Sequence, residues 1–260
     1  MEQTWLNMFK DENLTLDDIE RSVRYARDLT QGLATIKSYP QGVTVFGSAR
    51  INEDDEFYEK AYELGAKLAQ NDIPVITGGG PGVMEAANRG AIENKGRSIG
   101  LNIHLETEQD LNEYTTDSME FRYFFARKVM LSFSAKVCVF FPGGFGTLDE
   151  FAEILELRHT AKIPPVPLFL FGSEFWKGLD EWFAGKMSEW RYIETGKADD
   201  IYETAPDKHD SVRVARELYK ITDDIDEIVN IAQQTESRNV NDIITDISAQ
   251  QDISREGKVF

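Results

Sequence analysis

The chain has one cysteine, Cys138, and three histidines, His104, His159 and His209, among 260 residues. One cysteine cannot build a disulfide framework within a chain, which fits a reducing compartment, and a cytoplasmic location is expected. Histidines this scattered do not give a zinc-ligand spacing, so neither a metal nor any other cofactor is expected. No apolar run approaches the roughly 18 residues that a membrane helix needs. Met1 to Lys10 lack a basic stretch followed by an apolar core, so no secretory leader is read. Positive charge is scarce: 28 Lys and Arg stand against 46 Asp and Glu, a net charge of −18. That balance argues against nucleic acid and acidic membranes as partners. A small phosphate-bearing ligand remains compatible with it, because helix ends and a few arginines act at short range.

Several motifs are missing as well. G-x-x-x-x-G-K-[ST] is absent, which argues against a P-loop ATPase. The dinucleotide fingerprint fails: the first strand is followed only by Gly47, and around Gly78 and Gly80 the third glycine would fall at Val83. G-x-S-x-G, the mark of a Ser-His-Asp hydrolase, is also absent.

What is present is an alternation of strands and helices. Apolar runs at Val43–Phe46, Ile73–Ile76, Ile99–Ile103, Val137–Phe141 and Val166–Phe171 read as strands. Helical spacing marks 57–68, the stretch after Pro81, 121–133, 148–160 and 174–187. Pro81 suits a first helical turn, and Ala86, Ala87, Gly90 and Ala91 suggest close packing. Strands apolar throughout and separated by helices predict an α/β fold: a Rossmann-like doubly wound parallel sheet with helices on both faces. An N-terminal helical arm (1–40) is expected to start at a Thr15–Asp18 capping box. Leu16, Ile19, Val23, Ala26, Leu33 and Ile36 mark its apolar face. The nucleotide-binding body is expected over 41–232. A polar segment spans 105–118, and Asp223–Gln233 reads as a short acidic helix. A C-terminal tail (233–260) follows, in which Val240, Ile243, Ile244 and Ile247 keep helical spacing.

Three loops follow strands: Gly47-Ser48-Ala49-Arg50, Gly78-Gly79-Gly80-Pro81-Gly82 and Pro142-Gly143-Gly144-Phe145-Gly146-Thr147. Ligands of doubly wound sheets bind beyond the carboxyl ends of strands. Glycine loops that run into helices offer bare amides and a positive dipole end to an anion, most simply a phosphate. Thr147 can add a hydroxyl to that anion, or serve as a helix N-cap. Arg127 and Lys128 lie on the helix before the fourth predicted strand, and Glu150 in the first turn after it. Arg127 suits a phosphate or ribose oxygen. Glu150 suits a sugar hydroxyl, water or acid–base work. Spacing alone leaves the plainer readings open, a dipole complement for Glu150 and a solvated face for Arg127 and Lys128.

Pro142-Gly143-Gly144-Phe145-Gly146-Thr147-Leu148-Asp149-Glu150 resembles the PGGxGTxxE motif of the LOG ("Lonely Guy") family, long labelled lysine decarboxylases. Phe46 to Arg50, Gly78 to Ala87 and Phe124 to Lys128 match further family landmarks in order, over about residues 41–190. The resemblance implies a homodimer or higher assembly and a phosphoribohydrolase that releases the free base from a nucleoside 5′-monophosphate such as AMP or a cytokinin riboside 5′-monophosphate. By that resemblance Arg127 and Glu150 are the catalytic pair. Nucleotide contacts fall to Gly47, Ser48, Gly79, Gly80, Gly82, Asn88, Lys128, Gly143, Gly144, Gly146 and Thr147. Arg122 or Lys128 is placed to act across a dimer. His159-Thr160 departs from a Gln-Thr pair common in the family. Met84, Met130, Phe133 and Phe145 are candidates to line a base pocket, against simple core packing. A nucleotide carrier without turnover, a pyridoxal-phosphate decarboxylase using Lys128, and a partner-binding role for arm and tail are the competing readings.

Overall fold

The computed structural model describes residues 15–104, 111–187 and 218–238. In chain order the elements are α1 (Leu16–Ile36), β1 (Gly42–Phe46), α2 (Glu56–Gln70), β2 (Val75–Thr77), α3 (Val83–Glu93), β3 (Ser98–Ile103), β4 (Asp117–Phe121), α4 (Phe124–Ser134), β5 (Ala135–Phe140), α5 (Phe145–His159), β6 (Leu168–Phe171), α6 (Ser173–Trp182), β7 (Lys220–Thr222) and α7 (Ile225–Gln234). The seven strands form one sheet in the order β4-β3-β2-β1-β5-β6-β7. Every pairing is parallel. This is the doubly wound α/β arrangement expected from the alternation of apolar strands with helices.

Both faces of the sheet are covered. Along β5, Val137 and Val139 point to one face while Cys138 and Phe140 point to the other, as the two-residue period of a strand requires. One face packs Val43, Val45 and Val75 against α2, α3 and α7. The other packs Ile76, Leu101 and Phe140 against α1, α4, α5 and α6. Cys138 is fully buried, and burial pushes its thiol up. Helices α2 and α3 touch backbone to backbone: a side chain at Gly65 would collide with the Ala87 carbonyl, and one at Gly90 with that of Tyr62. The small residues of α3 are needed for that approach. Among the described residues no helix is long and apolar enough to cross a membrane.

Several expectations are corrected. The helix read over 121–133 begins at Phe124; Phe121 ends strand β4, and Arg122 and Tyr123 form the turn between them. This edge strand alternates half-buried with exposed residues, so no apolar run announced it. The three-residue β7 was also missed. Pro81 precedes the N-cap Gly82 and lies outside the first turn of α3. The capping box of α1 forms as expected, Thr15 and Asp18 bonding each other's backbone amides. Its packing face agrees with the expected one only toward the C-terminal end, where Ile36 is buried and Leu33 packs against the core. Leu16 and Val23 are exposed, and Asp28, Gly32 and Ile36 are buried. A side chain at Gly32 would press on Met130 and Phe121, so glycine there lets α1 lie close to α4 and β4. Residues 105–110 of the polar segment and the Val240–Ile247 helix lie outside the described residues. The acidic helix expected over Asp223–Gln233 forms as α7, Ile225–Gln234.

Candidate functional site

Strands β1 to β4 are laid down outward on one side and β5 to β7 on the other, so the winding reverses between β1 and β5. The carboxyl ends of these two strands flank the point where such folds leave a crevice.

The Ser48 backbone ties all three glycine loops together there. Its N–H donates to the Pro142 carbonyl (3.0 Å), and its own carbonyl accepts from Val83 N–H (3.0 Å). The Ser48 hydroxyl accepts from Arg50 N–H (3.1 Å). Two glycines make this closeness feasible. A side chain at Gly47 would meet Val83 at 2.6 Å. Gly82 has φ +71° and no room beside the Ser48 carbonyl.

The loop after β2 is braced from beneath. Thr77 Oγ1 accepts from Gly79 N–H (2.9 Å) and donates to Asn88 Oδ1 (2.6 Å). Asn88 Nδ2 donates to Ser98 Oγ (2.7 Å). Asn112 Nδ2 donates to both Asn88 Oδ1 and the Gly80 carbonyl, each at 3.0 Å. Asn112 N–H adds a bond to the Gly79 carbonyl (2.8 Å). The structure thus places Asn88 fully buried under the loop, its amide engaged in the protein's own network. Thr77 and Asn112 complete this support. Sequence reasoning missed both, Asn112 because it falls in a polar segment without period.

The loop after β5 is the open one. Helix α5 starts from the N-cap Gly144, with no side-chain cap; its first ladder bond runs from Leu148 N–H to the Gly144 carbonyl (3.1 Å). The amides of Phe145, Gly146 and Thr147 therefore sit at the positive end of the helix without a capping side chain. Thr147 lies inside the helix and is not its N-cap. It is buried, with its hydroxyl packed on Gly143, where no larger residue would fit. Gly144 and Gly146 have a different character: among the described residues, a side chain at either would touch nothing within 4 Å. Packing among those residues does not demand their small size, whereas an object approaching the bare amides from outside would.

Beside these amides lie two buried opposite charges. Arg127 on α4 points Nη2 at Glu150 Oε1 on α5, 3.4 Å away. The guanidinium also covers the Phe124 ring, 5.4 Å from its centroid. Arg127 Nε is buried with no acceptor among the described residues. Glu150 is only 6 % exposed. Burial pushes its carboxyl up to about 7, against the pull of Arg127 and Lys128 and with a small push from Glu153 and Asp149. Burial lowers Arg127 too, but a guanidinium keeps its proton in any protein environment. Next to Glu150, Phe151 fixes α5 by packing edge-on against Phe140 and against Trp176 and Tyr219. Truncating such a ring costs about 3–5 kcal/mol.

Lys128, one residue on, turns the other way and bonds Asp149 (2.9 Å) and Glu153. Burial opposes its charge, yet these carboxylates leave it raised overall. Of the candidate pocket residues, Met130 is core and Phe133 packs against the core. Met84 sits beside Gly78, and Phe145 is 91 % exposed at the head of α5.

A fixed cation, a carboxyl held near neutrality and a row of bare amides thus gather at the carboxyl ends of the central strands. A family model described as "Possible lysine decarboxylase" matches residues 84–214, half of the chain. The chain belongs to this family, the LOG family. The pyrimidine/purine nucleotide 5′-monophosphate nucleosidase of Escherichia coli (strain K12) is 26 % identical over 238 residues, covering 84 % of this chain and 50 % of that protein. A "Probable cytokinin riboside 5′-monophosphate phosphoribohydrolase LOG4" of Oryza sativa subsp. japonica is 25 % identical over 115 residues, covering 44 % of this chain and 50 % of that protein. The chain thus spans half the length of each of these relatives. The X-ray structure of TM1055, a structural-genomics target, overlays 75 % of this LOG-family chain and 99 % of its own with a TM-score of 0.50 at 22 % identity, a likeness of fold.

Proposed function

We propose that this LOG-family chain is a phosphoribohydrolase acting on a nucleoside 5′-monophosphate, AMP or a cytokinin riboside 5′-monophosphate, to give the free base and ribose 5-phosphate. One observation carries the reading: the buried Arg127–Glu150 pair lies beside the uncapped amides of α5 at the point where the sheet winding reverses. The two relatives whose names specify nucleotide monophosphate hydrolysis support the same class.

In this reading the 5′-phosphate sits on the amides of Phe145, Gly146 and Thr147. Gly144 and Gly146 give it clearance, and Ser48 and the Gly79–Gly82 loop wall the crevice. Gripping the phosphate orients the far end of the nucleotide. Cleavage of the N-glycosidic bond passes through an oxocarbenium-like state with positive charge on the ribose. The Glu150 carboxylate faces that charge and orients the water that adds at C1′, while the base leaves with the bond's electron pair and gains a proton. Arg127 holds Glu150 in place and binds a ribose or phosphate oxygen. Lys128 and Asn88 act behind this surface, given the partners they already have.

A decarboxylase would need a lysine free to form a Schiff base with pyridoxal phosphate. Lys128, held by Asp149 and Glu153 with its proton tightened, does not fit that task. The reading includes a cytoplasmic homodimer or larger assembly, in which exposed Arg122 can reach a neighbouring site; size-exclusion chromatography with light scattering tests the assembly. The activity is tested by incubating the chain with a panel of nucleoside monophosphates and resolving products by chromatography. Equal amounts of free base and ribose 5-phosphate are expected. Nucleotide binding without release would leave a carrier.

A further inference from the structure

The arm helix α1 carries a buried acid, Asp28, that no part of the chemistry above uses. Its Oδ2 accepts from Arg122 N–H (2.8 Å) and from Tyr123 N–H (3.2 Å), 94 and 95 residues further along the chain. These two residues form the turn between β4 and α4. Tyr123 is the N-cap of α4 and offers no side-chain cap, and the first turn of α4 holds no acid. Asp28 supplies from outside what the helix start lacks, an acceptor and a negative charge at the positive end.

The path onward to the candidate site is short. The Tyr123 carbonyl accepts from Arg127 N–H (3.3 Å), and Arg127 Nη2 reaches Glu150. Around Asp28 the arm is fitted to the same turn. Tyr25 packs edge-on against Tyr123 (4.4 Å) and Phe125 (5.3 Å). Gly32 lets α1 lie against Met130 of α4 and Phe121 of β4.

We propose that Asp28 is a positioning residue: from the arm it fixes the β4–α4 turn, and so sets Arg127 at its distance from Glu150. This rests on the roles given above to Arg127 and Glu150. The arm is then part of the site's framework.

The test compares Asp28→Ala with Asp28→Asn in the full chain. Asparagine keeps an oxygen that can accept both hydrogen bonds; alanine keeps none. The reading that does not depend on turnover is the titration of Glu150, followed by carbon NMR in protein labelled at the glutamate carboxyl and assigned with Glu150→Gln. The groups facing Glu150 are Arg127 and Lys128 from α4, Asp149 and Glu153 from its own helix, and Cys138 from β5. Arg127 and Lys128 both ride on α4 behind the turn, and both pull Glu150 down, so in Asp28→Ala the Glu150 midpoint should move upward as they withdraw. In Asp28→Asn it should stay. In parallel, kcat for base release should fall by about 10²-fold in the alanine variant, with KM changed less, and stay within about threefold of wild type in the asparagine variant. An alanine variant that is less heat-stable but keeps the wild-type Glu150 midpoint would overturn the proposal. So would an asparagine variant as shifted as alanine. If Asp28→Ala does not fold, Asp28→Ser, too short to reach both amides, is read in the same way. A wild-type chain that releases no base from any nucleotide defeats the functional reading alone, and the titration still judges Asp28.

Discussion

Two adjacent cations of α4, Arg127 and Lys128, join it to α5, and their ion pairs differ in kind. Lys128 is as buried as Arg127, but the carboxylates it meets, Asp149 and Glu153, are 65 % and 33 % exposed, so solvent screens the bridge. Such a bridge contributes about 0–1 kcal/mol. Arg127 and Glu150 face inward, at a longer separation, and Glu150 is held near 7 although a guanidinium lies beside it. At Lys128, attraction to two solvated carboxylates prevails over burial of the ammonium. In the crevice, desolvation of the carboxyl outweighs the attraction, so Glu150 keeps both protonation states within reach at neutral pH. An ordinary structural bridge has no need of that, whereas acid–base chemistry does.

The largest expected effect separates the two pairs directly. Arg127→Ala should lower kcat for base release by about 10³-fold or more, as loss of a charge-stabilising group does. Near wild-type release by that variant, measured by chromatography, would remove Arg127 from the mechanism. Next is the pH profile. If Glu150 works as a carboxylate, kcat should rise through about pH 7 and flatten above it. A fall across the same range would make the protonated form the working one, as an acid toward the leaving base.

The third effect concerns stability. Folded Glu150 holds its proton at pH values where the unfolded chain, titrating near 4.5, has released it. Its contribution to stability is therefore complete below about 4.5 and is lost as pH rises to about 7. Relative to Glu150→Gln, the wild type should lose up to about 3 kcal/mol over that interval, read from denaturant unfolding at several pH values. A constant difference between the two would mean that Glu150 is not desolvated. The smallest effect should come from Lys128→Met: less than about 1 kcal/mol in stability and only a few-fold in kcat. A loss as deep as that of Arg127→Ala would erase the distinction between the pairs.

Parts of this arrangement are legible in the amino-acid sequence. Strands buried on both faces, such as Val137–Phe140, announce themselves as apolar runs, and the glycine loops mark where they end. Edge elements do not. Strand β4 is half polar because one side meets solvent, and β7 is three residues long. Thr147 looks like a cap by type, but the helix starts earlier because glycine serves as the N-cap. The two glycine loops look alike in sequence and differ in space: the one after β2 is braced by Thr77, Asn88 and Asn112, while the one after β5 keeps its amides bare. Arg127 and Glu150 were named from a motif, yet their approach across 23 residues and the burial that lifts Glu150 come from tertiary packing. The Asp28 contact lies further still from local pattern. Counting apolar residues along α1 passes over Asp28, which holds the turn before α4, and Gly32, which lets α1 lie against Met130.

The central claim is that Glu150 performs chemistry and is not merely a partner for Arg127. Glu150→Gln keeps the shape and removes the charge, so its effect reads that claim most directly. Nucleotide binding by calorimetry and base release by chromatography are measured on the same preparation. Binding close to wild type with release abolished is expected. Lost binding, or release that continues, would contradict it.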